Sequence, residues 1–175
     1  MRWSKPARPD RRLTATLHRF VDASRPLVFA HRGGSGLAPE NTLAAFDHGL
    51  SLGADGLELD VHLSRDGQVV VHHDERLERT TNGAGPIAAR SVEELARLDA
   101  GYRFCRDGDF PFRGRGFSVP ALGQVLDRYA QARIVIELKN GTEALARATL
   151  QDVRKADALD RVCFASEHVD GLRVI

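Results

Sequence analysis

Four short segments carry the residues that could do chemistry: His31-Arg32, Glu58-x-Asp60, His73-Asp74 and Glu137-x-Lys139. Glu58 and Asp60 stand two apart in the apolar run "GLELDV", so on a strand both side chains share a face. Two carboxylates so placed repel unless a cation lies between them or their pKa values separate. Taken alone, an exposed strand end explains the pair equally well. Glu137, in "VIELK", adds a third carboxylate with Lys139 on the same face, which a strand-end ion pair also explains. Oxygen donors suit a hard divalent ion, Mg²⁺ or Ca²⁺, better than zinc. Two histidines can act as general base and general acid, and an arginine and a lysine can neutralise an anion. There is no Gly-x-Ser-x-Gly elbow and no P-loop, and "HRGGSG" misses the dinucleotide-binding spacing. Carboxylates for a metal, paired histidines and cations together point to cleavage at an anionic phosphorus centre, that is, phosphodiester hydrolysis.

For these groups to act together, the chain must bring them to one place. "LVFA" reads as a short buried strand, followed by Leu43, Phe46 and Leu50 at helical spacing and Gly53 as a stop. "DGLELDV" and "QVVVH" read as strands joined by the turn "SRDG". A capping box, Ser91 and Glu94, opens a helix, and Leu122, Val125, Leu126 and Tyr129 line one face of another. "RIVIEL" reads as a fourth strand, Thr142 as a helix cap and "RVCFA" as a fifth strand. Alternating strands and helices predict a parallel sheet, either doubly wound or the beginning of a (β/α)₈ barrel. In such folds the C-terminal strand ends share the edge where sites form. Four strands here end in ionisable groups, which argues for an enzyme. Residues 99 to 119 are long, aperiodic and rich in Gly, Arg and Phe, and are expected to form a flap over the site.

Composition narrows the class. A chain of 175 residues suits one domain. Residues 1–25 hold seven Lys/Arg against two Asp/Glu, while the remainder is net negative. This basic leader, residues 1–26, lacks aromatic interleaving and reads as a solvated tail rather than a nucleic-acid surface. No segment approaches the ~20 apolar residues of a membrane span. Cys105 and Cys163 form no spacing motif, so free thiols and a cytoplasmic location are expected.

The blocks "AHRGGSGLAPENT", "GADGLELDVHLSRDGQVVVHHDERLERTTNG", "VPALGQVL" and "IELK" together resemble the glycerophosphodiester phosphodiesterase family, over residue 27 to the end. The resemblance implies a TIM barrel and metal-dependent hydrolysis of glycerophosphodiesters to glycerol 3-phosphate and an alcohol. It implies His31 and His73 as the acid–base pair, and Glu58, Asp60 and Glu137 as ligands of Mg²⁺ or Ca²⁺. Arg32 and Lys139 would bind the phosphate. The family's His-Asp pair matches His73-Asp74, so His72 should point away from the site. His62 and His48 are expected to have no catalytic part. Asn41 should cap the first helix, Glu40 should support the site, and Asp74 should orient a neighbour. The sequence departs from the family at Ala121 and Gly123, where Thr and Glu are usual.

Length is the larger departure. A (β/α)₈ barrel typically needs ~250 residues, and about five strands are legible here. A barrel truncated there leaves strand edges open. A fragment of a longer protein is expected, or else self-association through the open edges. Besides the glycerophosphodiesterase, two readings stand: a phospholipid-cleaving TIM-barrel phosphodiesterase, given Phe104, Phe110, Phe112 and Phe117 in the flap, and a non-catalytic remnant that binds phosphate or metal.

Overall fold

The computed structural model describes residues 25–175, together with 20, 21 and 23. Most of the basic leader expected over 1–26 lies outside the described residues. Strand β1 (Phe29–His31) leads into helix α1 (Leu43–Ser51), and β2 (Gly56–Leu63) is followed by a short β3 (Val69–Val71). After a 3₁₀ turn (Ile87–Ala89) and α2 (Val92–Ala96) come α3 (Leu122–Arg128) and β4 (Arg133–Leu138). Helix α4 (Glu143–Lys155), β5 (Val162–Ala165) and α5 (Val169–Leu172) complete the chain. Strands β1, β2, β4 and β5 are parallel neighbours in that order. This is the strand–helix succession of a TIM-barrel-type α/β fold.

One strand runs against expectation. β3 pairs antiparallel with the end of β2, Val61 opposite Val71 and Leu63 opposite Val69. The turn dictates this: a parallel crossover needs a dozen or more residues, and only "SRDG" and Gln68 separate the two strands. Ser64 and Gln68 close the turn, with Gly67 at φ 74° in the left-handed region. Among the described residues the sheet thus holds four parallel strands and one hairpin partner. His73-Asp74 does not end a parallel strand; it leaves a strand that has turned back along β2, with His72 N donating to Asp60 O at 2.9 Å.

The caps form much as the sequence suggests, with one exchange. Ser91 and Glu94 make their reciprocal box, and Thr142 Oγ1 accepts from Leu145 N. Thr42, not Asn41, caps α1 by accepting from Ala45 N. Asn41 sits at φ 57°, outside the extended geometry an N-cap takes, and its side chain goes elsewhere. The departures at Ala121 and Gly123 do not prevent α3, because Gln124 Oε1 accepts the Ala121 N–H at 3.0 Å.

The pleat sorts core from site. Leu57, Leu59 and Val61 of β2 align with Ile134, Ile136 and Leu138 of β4. They share a fully buried core with Leu122, Val125 and Leu126 of α3 and Leu145 and Val153 of α4. Burial of each such side chain contributes about 1.5–3 kcal/mol, so this face fixes the register. The even residues of β2 are then forced onto the opposite face. His31, Glu58 and Val135 form one row there, and Asp60 and Glu137 the next.

Helix α1 lies against the loop after β1 with almost nothing between them. Gly33 sits at φ 82°, and a Cβ there would lie 2.6 Å from the backbone of Ala45. Gly33→Ala is therefore expected to destabilise the fold by about 2 kcal/mol or more, read as a lower urea midpoint at unchanged m-value.

Residues 99–119 form an ordered loop. Ala100 N donates to Phe117 O, and both Asp99 oxygens accept backbone N–H groups, from Gly101 and Gly114. Phe112 packs between Phe104 and Phe117, with ring centroids 5.1 and 5.5 Å away. Phe110 is exposed, with the Arg113 guanidinium 3.7 Å over its ring.

Candidate active site

The three sequence-predicted metal ligands converge: one carboxylate oxygen from each of Glu58, Asp60 and Glu137 lies within 4.8 Å of the others. The β2–β4 register does this, setting Asp60 beside Glu137 with Glu58 one pleat away. Lys139 reaches the same place, its Nζ 2.9 Å from Asp60 Oδ1 and 2.8 Å from Glu137 Oε1. Arg32 approaches from β1's end: its backbone N–H donates to Glu58 Oε2 at 3.0 Å and its Nε lies 3.3 Å from Asp60 Oδ2. His31 is exposed, its Nε2 4.0 Å from Glu58 Oε2.

The three carboxylates are not electrostatically alike. Burial pushes Glu58 above the usual glutamate range, and the charge of Asp60 pushes it further. Burial works against ionised Asp60 too, but a hydrogen bond from Asn41, then Lys139 and Arg32, hold it below the usual range. Burial likewise opposes the Lys139 ammonium, yet Glu137 and Asp60 raise its pKa. Asp60 Oδ1 is buried and accepts no well-aligned hydrogen bond, although the Lys139 ammonium is near. An oxygen-only donor set with one buried lone-pair oxygen to spare, and repulsion between neighbouring carboxylates, fits a hard divalent cation.

A second network runs from this cluster to His73. Glu40 Oε1 accepts from Arg32 at 3.2 Å and from Arg79 Nη2 at 2.6 Å, and Glu40 Oε2 accepts from Arg79 Nη1 at 2.9 Å. Arg79 also grips Asp74 through Nε and Nη2. Asp74 Oδ1 in turn lies 2.6 Å from His73 Nδ1. Burial opposes ionisation of Glu40 and Asp74, but Arg79 outweighs it and, with Arg32 for Glu40 and His73 for Asp74, holds both carboxyls below their usual ranges. Because an ionised carboxylate only accepts, Nδ1 of His73 carries the proton and Nε2 is the ring's free nitrogen. On the other side, His62 Nε2 donates to the His73 carbonyl at 3.0 Å.

The remaining polar residues sort clearly. His72 is buried and turned into the loop after β3, bonded to Asp74 O and Thr80 Oγ1. His62 shares the inner face of β2 but is engaged with the His73 backbone, and burial lowers its pKa. Asn41 donates to Asp60 Oδ2 at 2.8 Å. Sequence reasoning gave Asn41 a helix-capping part and Arg79 none. The available signal for Arg79 was that Asp74 needs a countercharge, but Arg76 stands equally near in sequence and pairs with Glu78 instead.

The family model of the glycerophosphoryl diester phosphodiesterases matches residues 31–175. A glycerophosphodiester phosphodiesterase of Caldanaerobacter subterraneus subsp. tengcongensis is 44% identical over 154 residues, covering 85% of this chain and 61% of that one. Among solved structures, the glycerophosphoryl diester phosphodiesterase domain of an uncharacterized Mycobacterium tuberculosis protein superposes with a TM-score of 0.80 at 30% identity. It covers 86% of this chain and 56% of that one. A phosphodiesterase of Oleispira antarctica, in complex with the product sn-glycerol-3-phosphate, has a TM-score of 0.76 at 33% identity, over 85% of this chain and 60% of that one. The chain spans 44–61% of the length of the curated relatives it matches.

Proposed function

The chain belongs to the glycerophosphoryl diester phosphodiesterase family, and from that premise we propose that its site hydrolyses glycerophosphodiesters to glycerol 3-phosphate and an alcohol. The observation that carries the reading is the meeting of Glu58, Asp60 and Glu137 beside Lys139, Arg32 and His31. Those three carboxylates would hold Mg²⁺ or Ca²⁺, which when bound supplies charge stabilisation at the phosphoryl oxygens. Arg32 and Lys139 bind the phosphate and neutralise part of its charge.

His31 and His73 move the protons. One, neutral, takes the proton of the glycerol hydroxyl next to the ester as its oxygen bonds to phosphorus. The other, protonated, gives its proton to the departing alcohol oxygen as that P–O bond breaks. Water then opens the cyclic phosphate with the two roles exchanged. Asp74, gripped by Arg79, fixes the His73 tautomer so that Nε2 faces this exchange. The mutual packing of the half-buried Phe104, Phe112 and Phe117 supports a soluble diester over a bilayer lipid, since Phe110 alone among the loop's phenylalanines is exposed and one ring makes a poor membrane anchor.

Two measurements test the reading together. With Mg²⁺ or Ca²⁺, the chain is expected to convert glycerophosphoglycerol to equal amounts of glycerol 3-phosphate and glycerol. Its unfolding free energy should rise by about 2.7 kcal/mol at a metal concentration a hundredfold above Kd, since the ion binds the native site alone. Metal stabilisation without product would leave the non-catalytic binder. Absence of both effects would overturn the reading.

A further inference from the structure

Between the β1–α1 loop and residues 99–119 lies a cavity of about 370 Å³, walled by Ser35, Glu40, Arg79, Thr80, Arg103 and Phe104. It begins one side chain from each half of the site. Glu40 is bonded to Arg32, which touches Asp60, and Arg79 is bonded to Asp74, which holds His73. We propose that this cavity receives the leaving alcohol of the diester and selects a polyol over an alcohol bearing a quaternary ammonium. The proposal rests on the phosphodiesterase reading and deepens it.

The lining argues for oxygen-rich groups. Glu40, the cavity's carboxylate, is occupied on both oxygens by Arg79 and on one also by Arg32. The Arg103 guanidinium lies 5.2 Å over the Tyr102 ring and has no carboxylate partner among the described residues. The Ser35 hydroxyl likewise has no hydrogen-bond partner among them. Hydroxyl oxygens of a polyol can accept from both groups. A quaternary ammonium would meet the unpaired charge of Arg103 and a single ring, Phe104, whose face or edge is already engaged by Phe112. Recognition of such cations needs aromatic faces free to close around them, and a facing like charge rejects them.

Cys105 also lines this cavity, and Cys163 lies apart on β5; both thiols are free and exposed. Alkylation by iodoacetamide, quantified by peptide mass spectrometry, thus reads occupancy with a built-in control. The chain is treated in Mg²⁺ with glycerophosphoinositol, glycerophosphocholine or glycerol 3-phosphate, while ³¹P NMR of the same sample follows hydrolysis. Glycerophosphoinositol tenfold above its Kd is expected to slow Cys105 about tenfold and leave Cys163 unchanged. Glycerophosphocholine and glycerol 3-phosphate, at that concentration, should slow Cys105 less than about twofold, and Arg103→Gln should erase the difference between the diesters. Equal protection by glycerophosphocholine overturns the selectivity. Equal protection by glycerol 3-phosphate overturns the assignment to the alcohol. Hydrolysis without any protection of Cys105 overturns the cavity proposal and leaves the phosphodiesterase reading standing. Protection by glycerophosphoinositol alone without hydrolysis overturns the phosphodiesterase reading and with it the leaving-alcohol role, and leaves only the cavity's preference for a polyol.

Discussion

Replacement of His73 by alanine is expected to reduce glycerophosphoglycerol turnover by at least ~10²-fold, the lower end for a general acid–base group, while barely changing the unfolding midpoint. Replacement of its neighbour His72 should do the opposite. His73 is partly exposed, and its Nδ1 is held by Asp74, which leaves Nε2 as the nitrogen open to proton transfer. His72 is buried and satisfies Asp74 O and Thr80 Oγ1. Its loss leaves those groups unpaired, for about 1–3 kcal/mol of stability, with less than about a threefold change in kcat. Stopped assays and thermal melts on both variants check the pair. If His72→Ala silences a folded protein and His73→Ala does not, the proton-transfer scheme is assigned to the wrong imidazole.

That Glu58 and Asp60 share one face was legible from the sequence. It depends on the two-residue period of a strand, which needs no tertiary information, whereas Glu137 joins only through the β2–β4 register, and His72 and His73 lie beyond the end of β3. The even positions of "GLELDV" must share a face, and the apolar odd positions choose which face is buried. The direction of β3 was legible too, had the shortness of "SRDG" been weighed against the crossover that a parallel neighbour requires. The sequence does not disclose pairings that depend on loop conformation. Asn41 turns to Asp60 because its backbone sits at φ 57°, a state that the dipeptide Asn-Thr permits but does not demand. Arg79 reaches Glu40 across 39 positions, and nothing in "HDERLERTT" separates it from Arg76 until the loop after β3 is folded. The network holding His73 is therefore a property of the tertiary structure, built from residues that look like ordinary surface charges.

The carboxylate cluster makes the other strong prediction, and its sign is unusual. Glu58 is pushed above the ordinary glutamate range by burial and by Asp60, so its folded pKa exceeds its unfolded one. Ionising it then opposes folding, and the cost is absent at low pH and grows as pH rises through the folded value. Glu58→Gln removes the charge while its amide oxygen can still accept from the Arg32 N–H. At neutral pH without divalent ions, the variant should be at least as stable as the parent, and the difference should widen as pH is raised from about 4 to 7. With Mg²⁺ or Ca²⁺ the order should reverse. The parent should gain stability, with the three carboxylates as the proposed ligands of the ion, whereas the variant, with one anionic ligand gone, should lose most of that gain and at least about tenfold in metal affinity. Melts at several pH values, with chelator and with metal, separate the two effects. A variant less stable than the parent in chelator would mean that Glu58 serves the fold through Arg32, and an undiminished metal response would remove it from the ligand set.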